Sequence, residues 1–114
     1  MKLNHLIEKV PLTLQTPAVN LDVEITGGYI SDLLSDVMAH AKKGDVWVTL
    51  QIHQNTVAVA TLKELAGIIV IGGKKPAPET IKKAEEEGVP ILTSDLTAFE
   101  LICELCKLGI SGSR

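Results

Sequence analysis

The sequence predicts an α/β fold, a three-layer sandwich whose mostly parallel central sheet carries helices on both faces. Three observations lead there. From Leu21 onward the hydrophobic pattern alternates strand and helix through four rounds, the order that right-handed crossovers turn into a parallel sheet. Hydrophobic residues make up 46% of the chain, yet Trp47, Tyr29 and Phe99 are its only aromatics. Val, Ile, Leu and Ala must therefore build the core, as in a sheet buried on both sides. The length, 114 residues, is that of one domain and buries roughly two-thirds of the surface its unfolded form exposes. One domain over residues 1–110 is expected, followed by a disordered tail over 111–114, Ser-Gly-Ser-Arg.

Leu3, Leu6, Ile7 and Val10 recur at the spacing of one helix face, and Pro11 stops that helix. Leu12 to Gln15 reads as a short strand, and Leu21 to Ile25 as a second extended run closed by Thr26-Gly27-Gly28. Leu33, Leu34, Val37, Met38 and Ala41 give an amphipathic helix over 31–41, with Asp32 and Asp36 four apart on its other side. Lys42, Lys43 and Gly44 end it. Val46 to Ile52 is β-branched and extended. The stretch 54–66 mixes alternating and helical patterns, and a helix is assigned because a crossover must precede the next strand. Ile68 to Ile71 is a strand that stops at Gly72-Gly73. Pro78 opens a helix that runs through Glu87 to Gly88. Val89 to Leu92 is a strand that Pro90 confines to its start or to an edge, and 97–108 is the last helix, ending at Gly109.

The formal net charge is −3, with Lys and Arg scattered among acids, which argues against nucleic acid as a partner. The first residues lack the continuous apolar stretch of a secretory signal. No apolar run approaches the ~18 residues of a membrane span. A soluble, cytoplasmic protein is expected. Cys103 and Cys106 stand three apart on a helical pattern shared with Phe99 and Ile102; they read as reduced, core-packing thiols rather than a redox pair, whose reactive thiol belongs at a helix start.

Ligands of parallel sheets bind beyond the carboxyl ends of the strands. Four polar or glycine clusters are expected on that edge: Thr26-Gly27-Gly28 with Ser31 and Asp32, then His53-Gln54-Asn55, Gly72-Gly73-Lys74-Lys75, and Thr93-Ser94-Asp95. Glycine pairs make tight turns and bring backbone N–H groups towards an anion. Neither pair has the spacing of a Walker loop or a dinucleotide fingerprint. Asp32 and Asp36 read as a solvated helix face near the dipole. No ligand spacing calls for a metal, and no cofactor is implied.

The segment Glu24-Ile25-Thr26-Gly27-Gly28, with Ser31-Asp32-Leu33-Leu34-Ser35-Asp36-Val37-Met38, resembles the DRTGG domain family, and Ile71-Gly72-Gly73 and Thr93-Ser94-Asp95 fit the same picture. Thr26, Gly27 and Gly28 match the five-residue motif that names the family. Glu24 and Ile25 stand where it has Asp and Arg, so the roles of those two are not carried over. Such domains occur in larger proteins, among them HPr kinase/phosphorylase-like proteins, phosphotransacetylases and regulated pyrophosphatases, and also as short free-standing chains. The resemblance implies an α/β regulatory domain, often at a dimer interface, and no kinase chemistry, for which the phosphate-binding loop is absent.

The function expected is that of a non-catalytic regulatory or ligand-sensing module. It self-associates as a homodimer and takes a small anionic ligand, a nucleotide or phosphorylated metabolite, at the Gly-rich edge. Two alternatives stay open, a protein–protein adaptor in a larger complex and a small enzyme built on Asp32, His53 and Asp95.

Overall fold

Residues 1–112 are described in the computed structural model, and Ser113 and Arg114 fall outside the described residues. In chain order the elements are α1 (Leu3–Lys9), β1 (Thr13–Leu14), β2 (Gly27–Ile30), α2 (Leu34–His40), β3 (Asp45–Thr49), α3 (Asn55–Lys63), β4 (Gly67–Val70), α4 (Pro78–Glu87), β5 (Ile91–Thr93) and α5 (Ala98–Lys107). They form one sheet in the order β1-β5-β4-β3-β2. β2 to β5 are parallel neighbours, and β1 closes the far edge antiparallel, Thr13 opposite Thr93. This is the mostly parallel α/β sheet that the alternating pattern predicts.

Residue alternation divides the core between the two faces. Trp47, Ile68, Val70 and Ile91 pack with Val37 of α2, Val57 and Ala60 of α3 and Ala84 of α4. Val46, Val48, Ile69 and Leu92 point the other way, onto Leu3 and Leu6 of α1 and Leu101 and Leu105 of α5. Each fully buried aliphatic side chain contributes about 1.5–3 kcal/mol, so both layers are needed. Because β2, β3, β4 and β5 are laid down in one direction, crossovers of one hand place α2, α3 and α4 on the same face. α5 leaves β5 for the opposite face.

The edge strand departs from the sequence pattern. Leu21 to Ile25 is extended but lies outside the sheet, bonded to the chain start through Leu3 N to Val23 O and Ile25 N to Met1 O. The sheet is entered only at Gly27, which pairs with Asp45. The glycines therefore begin β2 instead of ending a strand. Thr26 explains the position: its N–H donates to Gly44 O and its hydroxyl to Lys43 O, clasping the turn before β3. Gly44 has φ +86°, and a Cβ there would overlap the Thr26 hydroxyl, so the turn requires glycine.

Two further corrections concern helices. α2 begins at Leu34, leaving Ser31 and Asp32 in the loop. On α5 the inward face is Leu101 and Leu105, whereas Cys103 and Cys106 are exposed and Phe99 is 82% exposed; the thiols do not fill the core. Of the expected tail, Ser111 and Gly112 lie along β2, where Gly28 N donates to Ser111 O, and Ile110 is buried.

Candidate functional site

The carboxyl ends of β2, β3, β4 and β5 carry Ser31-Asp32, residues 50–55, residues 72–75 and Ser94-Asp95 in turn. Thr26, Gly27 and Gly28 stand at the opposite, amino end of β2, so they are separated from this edge. The sequence placed them on it because the strand was assigned too early in the chain.

The loops of the edge are tied to one another. Asp32 Oδ1 accepts from Thr49 Oγ1 at 2.9 Å and Leu50 N at 2.7 Å, and Gln51 Nε2 donates to Asp32 O at 2.8 Å. Asp32 thus fastens the loop after β2 to the loop after β3. His53 Nδ1 contacts the Asn55 side-chain oxygen and accepts from Asn55 N at 3.2 Å. Thr56 and Thr80 close this turn by donating their hydroxyls to His53 O and Ile52 O, each at 2.7 Å.

Gly72 and Gly73 both have left-handed φ, +69° and +73°, a geometry glycine adopts without a steric cost. Their N–H groups donate to Leu96 O and Ser94 O, each at 3.1 Å, and Lys74 N reaches Ile71 O. The pair therefore zips the β4 loop to the β5 loop, and its N–H groups are not presented to an anion as the sequence suggested. Ser94 is buried and its hydroxyl accepts from Leu96 N at 3.0 Å. Above this seam Lys74 and Lys75 are exposed and carry no ion pair among the described residues.

β4 and β5 are adjacent, yet their following helices go to opposite faces, α4 to one and α5 to the other. That parting is where α/β sheets open a crevice. Beside it, Asp95 lines a recess of about 340 Å³ with Pro11, Thr13, Thr93, Ser94 and Leu96. His53 lines a separate one of about 180 Å³ with Gln54, Ala77, Glu79 and Thr80, and Asp32 lines neither. The three residues of the small-enzyme alternative thus share neither recess, and no group of three or more metal-ligating side chains occurs among the described residues.

A polar cluster that the sequence reading missed joins β2 to α2. Tyr29 OH donates to Asp36 Oδ2 at 2.8 Å, and His40 Nδ1 lies 3.0 Å from Asp36 Oδ1. Hydrogen bonds from Ser31 first, then Tyr29, with His40 adding to them, hold the Asp36 carboxyl below the usual carboxylate range. The same bond pushes the Tyr29 phenol up. The i,i+4 spacing of Asp36 and His40 was a readable signal; the part of Tyr29 depended on the strand register.

Comparison with known proteins agrees with this architecture. No curated protein matches the sequence. Among solved structures, the fold is similar to the CBS and DRTGG domains of the regulatory region of Clostridium perfringens pyrophosphatase, a structure complexed with an activator, diadenosine tetraphosphate. The TM-score is 0.74 at 15% identity, over 91% of this chain and 45% of that one; the chain spans less than half of its neighbour, and at this identity the likeness is one of fold. The DRTGG domain family matches over residues 25–107, from buried Ile25 to the end of α5. With most of its length inside that match, the chain belongs to the DRTGG domain family.

Proposed function

We propose that the chain is a regulatory, ligand-sensing module that carries out no catalysis, takes a small anionic ligand at the carboxyl edge of its sheet, and works as a homodimer in the cytoplasm. The observation that carries the ligand reading is the unpaired Lys74-Lys75 couple above the parting of β4 and β5, where the fold opens a crevice. With the N–H groups of Gly72, Gly73 and Lys74 already committed, the lysine ammonium groups are the anion contacts, flanked by His53 and Asn55 on one side and Ser94 on the other, while the Asp95 carboxylate accepts from hydroxyl or amino groups of the ligand rather than meeting its anion. The regulatory region of similar fold that is complexed with diadenosine tetraphosphate supports a nucleotide or phosphorylated metabolite as the ligand class. Thr26 contributes by clasping the turn before β3, and Gly27 and Gly28 by opening β2 beside Asp45 and Val46, rather than by touching the ligand.

The test is thermal unfolding with AMP, ATP, diadenosine tetraphosphate and inorganic phosphate, each over a concentration series. A ligand at 100 times its Kd stabilises by about 2.7 kcal/mol, several degrees in Tm for a domain of this size. The expected outcome is a saturable rise with at least one of the organic anions that disappears in a Lys74→Ala/Lys75→Ala variant. No shift across the panel, or a shift that the double variant keeps, overturns the assignment of this edge.

A further inference from the structure

We propose that the outer face of α5 is the self-association surface, on which α5 of a second copy packs antiparallel about a two-fold axis close to Cys103. The proposal deepens the homodimer reading above and rests on it. Helix α5 is apolar on two sides. Leu101 and Leu105 are buried in the core, while Phe99, Ile102, Cys103 and Cys106 recur at i, i+3, i+4 and i+7, a complete second stripe. Phe99 is 82% exposed and both cysteines are exposed. A single apolar stripe is enough to dock a helix on its own core, so the second stripe is left for a partner, and an aromatic at its head has the character of an interface anchor.

The sheet makes the same point from the other side. α2, α3 and α4 cover one face; α1 and α5 cover the other. Alongside α5, towards β2, runs an apolar groove of about 160 Å³, lined by Tyr29, Ile30, Val48, Ile102, Cys106 and Ile110 among others. Ile30 is 45% exposed at its rim. A helix laid against α5 on this side supplies a third helix to that face.

Charge selects a second copy of this chain as the occupant. Glu100 lies near the start of α5 and Lys107 at its end, on the same flank of the stripe. An antiparallel pair centred on Cys103 brings each Glu100 to the Lys107 of the other copy, and each Phe99 beside the other's Lys107 stem and Cys106. Every contact is made twice, as an isologous interface requires. Lys107 is bound within its own helix to Glu104 at 3.1 Å, so in the pair it stands between two carboxylates.

Sedimentation equilibrium of the full chain tests the surface, with Phe99→Asp, Phe99→Ser and, as a control, Leu62→Asp on the other face, where Leu62 is 71% exposed. An acid in the first turn of a helix is favourable, so Phe99→Asp retains the fold. The expected result is a dimer for the wild type and for Leu62→Asp, with a dissociation constant raised roughly 30-fold or more by either change at Phe99, the scale of an aromatic hot spot. Mild oxidation should then link Cys103 to Cys103 of the second copy in Cys106→Ser but not in Cys103→Ser. A wild-type dimer indifferent to both changes at Phe99 overturns the surface and leaves self-association standing. A monomer at about 100 μM overturns both. Equal cross-linking in Cys103→Ser overturns the antiparallel register.

Discussion

At Asp36 one carboxylate gathers a hydroxyl from Ser31, a phenol from Tyr29 and an imidazole from His40, and so ties α2 to the edge strand. Its folded-state pKa is depressed, so the stability it contributes is present above the unfolded carboxylate pKa and is lost as pH falls through the folded value. Unfolding by urea between pH 6 and pH 2 should show a stability that declines on the acid side, less steeply in Asp36→Asn; an unchanged slope would remove Asp36 from the acid response. Asp22, Glu24 and Glu100 are depressed too, so the variant keeps part of the slope. Such residue-level roles were only partly legible. Gly72, Gly73, Ser94 and Asp95 could be placed at strand ends because their residue types favour turns. The bond from Asp32 to Thr49 could not, because it joins two loops across adjacent strands.

Helix α5 best shows what periodicity conveys and where it stops. Apolar spacing locates the helix, and the capping box of Thr97 with Glu100 fixes its start. Two stripes compete for the core, however, and the pattern alone does not say which one faces inward. The side of the sheet on which the chain leaves β5 decides it, turning Leu101 and Leu105 in and Cys103 out. Leu105→Ala should therefore cost about 2–5 kcal/mol and Cys103→Ala within about 0.5 kcal/mol, both read by urea unfolding at a concentration where the chain is monomeric. A larger cost at Cys103 than at Leu105 would mean that the faces are reversed. The misplacement of β2 has a similar origin. Leu21, Val23 and Ile25 alternate as strand residues do, and they do form an extended run, but its partner is the chain start rather than β3. Helix α4 was legible end to end because its signals are local, Pro78 at the start and left-handed Gly88 at the end.

Over the whole molecule, the first and last of the described segments are built into the sandwich. Ile110 packs near Gly28, and Ser111 O accepts from Gly28 N, so the segment after α5 covers the outer edge of β2. Deleting residues 110–114 removes a buried isoleucine and one sheet-edge hydrogen bond. The expected loss is roughly 2–4 kcal/mol, measured as the change in urea midpoint; a loss near zero would show that the segment contributes nothing to the edge. At the other end, β1 has a single neighbour, β5. The two are far apart in sequence, whereas β2, β3, β4 and β5 are each joined to the next by one short crossover. During synthesis the parallel strands can therefore zip together in the order in which they leave the ribosome. β1, made before all of them, has nothing to pair with until Ile91 to Thr93 have emerged. A strand made before the rest of its sheet is therefore among the last to find its place.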